Sequence, residues 1–85
     1  MSRALRIYYS GFDDIFCGLP SDIKKRIEAR IDEMGVRLES FPHHRMKGGD
    51  RYRLRVGDYR VIYTFNVEKK EIHLLAVGHR REIYR

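Results

Sequence analysis

The sequence predicts an α+β domain: a small twisted antiparallel β-sheet packed against N-terminal helices. Three observations carry that expectation. Apolar residues recur at helical spacing in one convincing stretch, at Ile23, Ile27, Ile31 and Met34. From Tyr52 onward the period switches to two, in successive runs separated by turn signals. A chain of 85 residues holds one thin hydrophobic core, so helix and sheet must share it in a single domain spanning residues 1–85.

Taken in order, residues 3–9 contain Leu5, Ile7, Tyr8 and Tyr9 and predict a first strand, with Gly11 as a breaker after it. Residues 13–18 predict a single helical turn before Pro20. Ser21 then starts a helix that runs to about Met34. Its polar side carries Lys24, Lys25, Arg26, Glu28, Asp32 and Glu33, and Gly35 is well placed to end it. Residues 36–50, with Pro42 and the pair Gly48–Gly49, read as a long connection. Beyond it Tyr52, Leu54 and Val56 point one way, and Arg51, Arg53 and Arg55 the other. Gly57–Asp58 makes a tight turn, residues 59–65 a strand, residues 66–70 a second turn and residues 72–77 a third strand of the meander. No internal repeat, linker or low-complexity segment interrupts this order.

Composition narrows the class. No apolar run approaches the 18 or so residues that a membrane span needs, so a membrane is not an expected partner. The N-terminus lacks the apolar stretch and cleavage site of a secretory signal. The one cysteine, Cys17, allows no internal disulfide, which fits a cytoplasmic protein, and is expected to be a small buried hydrophobe. His43 and His44 read as loop residues. Without Cys or acidic ligands nearby the pair is poor evidence for a metal site, and no metal or cofactor is expected.

The charge is the most informative feature. Residues 43–60 hold Arg45, Lys47, Arg51, Arg53, Arg55 and Arg60 against Asp50 and Asp58, a net of +4. The last eight residues hold Arg80, Arg81 and Arg85 against Glu82, a net of +2. Those two stretches supply the whole formal charge of +6. A field so localised attracts a polyanion, RNA or DNA first. By alternation Arg53 and Arg55 stand about 7 Å apart on the face away from the core. Arg60 lies just past the turn on the neighbouring strand, and the tail leaves the same sheet. The planar fork of arginine suits phosphate. Tyr52, Tyr59, Tyr63 and Tyr84 add stacking surfaces, although Tyr59 and Tyr63 fit the core better. Two other readings stand beside nucleic-acid binding: a solvated sheet face protected from edge pairing, and a docking face for an acidic protein.

Several segments resemble the RelE-type toxins of the RelE/ParE superfamily: Leu19–Pro20 before the charged helix, Met46–Lys47–Gly48, residues 52–65 (YRLRVGDYRVIYTF) and residues 76–85 (AVGHRREIYR). The resemblance runs over nearly the whole chain. It implies a RelE/ParE-like fold and the toxin half of a type II toxin–antitoxin pair. The activity implied is ribosome-dependent cleavage of messenger RNA in the A site, without metal or cofactor, silenced by a cognate antitoxin, RelB-like or of another family. Carried over residue by residue, the catalytic set is Arg53, Arg55, Arg60, Arg80 and Tyr84. Arg81 is the alternative tail arginine, and Arg45, Lys47, Arg51, Arg81 and Arg85, the other basic residues of the two charged stretches, are expected to bind RNA. The chain departs from the best-studied type in having arginine rather than lysine at positions 53 and 55, and a shorter spacing before the tail tyrosine. The resemblance leaves two alternatives: a ParE-like inhibitor of DNA gyrase, and a non-catalytic binding relative on the same scaffold.

Overall fold

The computed structural model describes residues 3–83. Strand β1 (Leu5–Tyr8) leads into helices α1 (Ser10–Phe16) and α2 (Ser21–Val36). Four strands follow: β2 (His44–Arg45), β3 (Tyr52–Val56), β4 (Tyr59–Asn66) and β5 (Glu71–His79). They form one sheet in the order β1-β5-β4-β3-β2. The meander is antiparallel as expected, but β1 joins it in parallel, with Leu5 opposite Glu71 and Tyr8 opposite Leu74. The helices between β1 and the meander supply the long crossover that a parallel partner requires. No helix among the described residues is long and apolar enough to cross a membrane.

One face of the sheet is the core. Ile27, Ile31 and Met34 of α2 lie against Leu54, Val56, Val61, Tyr63, Ile72, Leu74 and Val77, all of them buried. Phe12 of α1 joins the same cluster. Both periods read from the sequence therefore meet in one layer. At the margin Arg6 on β1 pairs with Asp32 on α2, which ties the edge strand to the helix. Arg37 and Arg30 hydrogen-bond the exposed Glu33 carboxylate and hold it below its ordinary range.

Gly11, read as a breaker, lies inside a helix, and Gly35, read as the end of α2, falls one residue short of it. Gly11 sits in the first turn of α1, where an added Cβ would come within 2.7 Å of the Leu75 carbonyl oxygen. It is there for close approach to β5, at the point where a bulge shifts the β4–β5 register between Ile62 and Tyr63. Gly35 is buried in the last turn of α2, and its carbonyl accepts the Ala4 N–H at 3.1 Å. The end of the helix is thus satisfied by the chain entering β1, and it continues to Val36. Cys17 is exposed in the turn after α1 rather than buried.

The connection over residues 36–50 is held to the core. Two of its residues form β2, with His44 opposite Arg53 and Arg45 opposite Tyr52. His43 faces inward, its ring stacked on Phe65 at 3.8 Å. Its Nε2 lies 2.7 Å from the Leu38 carbonyl, which can only accept, so Nε2 carries the proton. In the neutral ring Nδ1 then accepts the Tyr63 hydroxyl at 2.6 Å. The buried phenol is satisfied by the loop, and the loop is anchored by the phenol.

Burial of Tyr63, with a smaller contribution from neighbouring Tyr52, pushes its pKa well above the ordinary value of 10.0. An unfolded Tyr63 therefore loses its proton first. Stability is fully present below pH 10.0 and falls as pH rises beyond it. Alkaline titration followed by circular dichroism should show unfolding setting in above about pH 10, and the onset should shift upward in Tyr63→Phe.

Candidate nucleic-acid interface

Alternation leaves the second face of the sheet free of α2, and two cross-strand rows matter there. In the first, His44 faces Arg53, Arg53 faces Ile62 and Ile62 faces Ala76. In the second, Arg55 faces Arg60 and Arg60 faces Gly78. Arg53 and Arg55 are exposed. Arg60 is only 6% exposed, and its Nη1 donates to the carbonyls of Gly57 at 2.8 Å and Tyr59 at 2.9 Å. Its guanidinium is thereby oriented by the β3–β4 turn. That turn needs glycine: Gly57 has φ +59°, and Arg26 Nη2 lies 3.1 Å from where a Cβ would stand.

The tail returns to the same turn. The Arg80 N–H donates to the Asp58 carbonyl at 2.8 Å, and Arg80 Nε lies 3.8 Å from the Asp58 carboxylate. Arg55, Arg60 and Arg80 thus gather around residues 57–59. Among the described residues, no ion pair involves Arg53, Arg55 or Arg60, and the only carboxylate paired with Arg80 is the exposed Asp58. Such a cluster repels itself and is relieved by a polyanion.

The remaining sequence-derived residues are placed less uniformly. Arg51 lies on the arginine face, one step beyond β3, and its carbonyl accepts the Met46 N–H. Arg45 pairs with Tyr52 and so shares the α2 side of the sheet, with its Nε bonded to the Gly49 carbonyl. It stands apart from the row of Arg53. Lys47 is exposed in the turn between β2 and β3. Arg81 is exposed, its N–H donating to His79 Nδ1 at 3.2 Å, while the His79 ring meets Tyr59 edge-on on the α2 side. Tyr63 is fully buried and Tyr52 half-buried against the core, so neither is a stacking platform on the arginine face. Tyr84 and Arg85 lie outside the described residues.

Two positions carried no sequence signal for the site. After β5 the chain turns, with the N–H groups of Glu82 and Ile83 both donating to the His79 carbonyl. Ile83 is thereby folded over Gly78, where an added Cβ would lie 3.3 Å from Ile83 Cδ1 and 3.6 Å from its Cβ. Gly78 is the seat of the tail. A branched side chain in Gly78→Val should lift Ile83 and displace the groups around Arg80. A misplacement near 1 Å costs up to about 10²-fold in a positioned reaction, so any reaction aligned by those arginines should slow by roughly that factor. A proton NMR spectrum that keeps its dispersion would assign the loss to the tail rather than to unfolding.

Among the described residues, no group of three or more His, Cys, Asp or Glu is placed to hold a metal ion.

A family model described as the ParE toxin of the type II toxin–antitoxin system parDE matches residues 12–84. Among solved structures, a chain of the archaeal RelE–RelB complex from Pyrococcus horikoshii is 28% identical with a TM-score of 0.74, covering 95% of this chain and 99% of that one. A chain of the RelB–RelE antitoxin–toxin complex from Methanococcus jannaschii is also 28% identical, with a TM-score of 0.71 and coverage of 92% and 94%. The isolated RelE toxin of E. coli, at 18% identity and a TM-score of 0.76 over 95% and 90%, is alike in fold. No curated protein matches the sequence significantly. The matched family model spans helices, meander and tail alike, and the chain belongs to the RelE/ParE superfamily of type II toxin–antitoxin toxins.

Proposed function

We propose that this protein is a metal-independent endoribonuclease that cuts messenger RNA in the ribosomal A site and is held inactive by a cognate antitoxin. The observation that carries the reading is the gathering of Arg55, Arg60 and Arg80 around one turn, with Arg53 beside them and Asp58, among the described residues, the only carboxylate in an ion pair with them. In the proposed reaction the 2′-OH loses its proton and its oxygen attacks the adjacent phosphorus. The 5′-oxygen leaves and takes up a proton, giving a 2′,3′-cyclic phosphate and a 5′-hydroxyl. Arg60 and Arg80 neutralise charge growing on the non-bridging oxygens, while Arg53 and Arg55 hold the flanking phosphates. Proton transfer is assigned to Tyr84, the first residue past Ile83, on the superfamily resemblance. A phenol acting as base needs a nearby cation to favour its ionised form. So sparse a set of groups is consistent with a reaction that relies on the ribosome to orient its substrate.

The archaeal relatives at 28% identity were solved as complexes with RelB, which supports a protein antitoxin as the partner here. An acidic or amphipathic segment suits the arginine face.

The test is cleavage of a message programmed on a 70S ribosome with an empty A site, mapped by primer extension. Cuts confined to the A-site codon support the reading, and their absence with well-folded protein sinks it. The ParE description of the matched family model favours one second reading, inhibition of DNA gyrase. A supercoiling assay with purified gyrase separates the two.

A further inference from the structure

We propose that the hollow at the centre of the arginine-bearing face is a nucleobase subsite, and that Tyr9 is the wall on which the base rests. This deepens the RNA reading above and rests on it. The hollow has a volume of about 470 Å³ and is lined by Tyr9, Met46, Arg51, Ile62, Ala76 and Ile83 among others. That is the size range of small-molecule sites, which combine apolar walls with a few placed polar groups. Ile62 and Ala76 are cross-strand partners and make an apolar floor. Met46 adds a soft, polarisable edge. Arg51 brings a cation to one side, and Arg53, opposite Ile62, continues the basic row immediately beside it. A nucleotide matches this combination, bringing a base for the floor and a phosphate for the arginines.

Tyr9 is 43% exposed yet fixed. Its hydroxyl lies 2.9 Å from His73 Nδ1, and His73 Nε2 lies 3.3 Å from Glu71 Oε1. A carboxylate only accepts, so Nε2 carries a proton; in the neutral ring Nδ1 accepts from the phenol. Glu71, His73 and Tyr9 are thus linked across the β1–β5 edge. An exposed ring held in place in this way is a preorganised stacking surface. Gly11 closes the arrangement: without a Cβ, α1 starts within contact of the Leu75 carbonyl and completes the wall. Tyr9, His73 and Glu71 carried no sign of this role in the sequence, because β1 and β5 are distant along the chain.

The experiment compares binding of a short single-stranded RNA with binding of an abasic oligomer carrying the same phosphates, by fluorescence anisotropy on the full chain. The intact oligomer should bind at least about fivefold tighter, the low end of what one stacked base contributes. Tyr9→Leu should abolish that preference and leave abasic binding unchanged. Ala76→Leu, which fills the floor from β5 and keeps the Tyr9 side chain, should do the same and covers the case in which Tyr9→Leu misfolds. Arg53→Ala should weaken both oligomers by a common factor. His73→Phe, which keeps the ring volume but frees the Tyr9 hydroxyl, should reduce the preference in part. Equal binding of the two oligomers by the wild-type protein, or binding of neither, overturns the proposal. So does a preference that both Tyr9→Leu and Ala76→Leu leave intact in folded protein. A base preference without ribosomal cleavage removes the endonuclease reading and leaves the subsite; cleavage without a base preference does the reverse.

Discussion

Arg60→Ala should lower single-turnover cleavage of ribosome-bound message by about 10²–10³, or roughly 3–4 kcal/mol of transition-state stabilisation. The magnitude follows from how the side chain is held. A guanidinium whose Nη1 already bonds the Gly57 and Tyr59 carbonyls does not reorganise when charge develops on a phosphate. It is also nearly withdrawn from water, where screening would weaken it. Arg60→Lys keeps the charge but cannot cap two carbonyls and still fork onto an oxyanion, so its rate should fall between the wild-type and Ala values. Folding is the necessary control. Of the two freed carbonyls, that of Gly57 lies in an exposed turn and that of Tyr59 opens β4 beside it, where water can reach, so circular dichroism and the melting transition should change much less than the rate. A rate loss below about threefold, against the range expected for one aimed donor, removes Arg60 from the catalytic set.

The largest effect on stability should come from Ile27→Ala. Ile27 has no exposed surface and lies in the middle of the apolar stripe of α2, between helix and sheet. Removing its methyl and methylene groups sacrifices their transfer free energy and leaves a cavity, together about 2–5 kcal/mol. Domains of this size are stable by only about 5–15 kcal/mol, so urea unfolding should show a much reduced midpoint and a partly unfolded population at 37 °C. Ile23 packs against the same cluster from a half-buried position, and Ile23→Ala should cost distinctly less. If the two substitutions have equal effects, α2 does not meet the sheet as described.

What could be read in the sequence follows from range. The period of α2 and the alternation of β3 and β4 are local, so their faces were legible, and with them the positions of Arg53, Arg55 and Arg60. Gly57–Asp58 was legible as a turn because its chemistry is contained in two residues. Gly11 was misread because it is there for a neighbour distant in sequence, Leu75. His43 looked like a loop residue because its partners, Leu38, Tyr63 and Phe65, meet only when the loop lies on the core. β2 is two residues long, too short for any period to reveal. The residue-level resemblance supplied the superfamily, but neither the seat that Gly78 makes for Ile83 nor the linkage of Tyr9 to His73.

The parallel pairing of β1 with β5 also orders events during synthesis. Leu5 leaves the ribosome early, yet its strand partner is Glu71, so the edge of the sheet must wait for nearly the whole chain. Contacts of such long sequence separation form late, after the loop between them has been closed at an entropic cost. The same late segment carries Gly78, Arg80 and the turn that seats Ile83. A nascent or truncated chain ending before residue 71 therefore has neither a closed sheet nor a complete arginine cluster. The arginine cluster around residues 57–59 is thus assembled only after Arg80 has emerged.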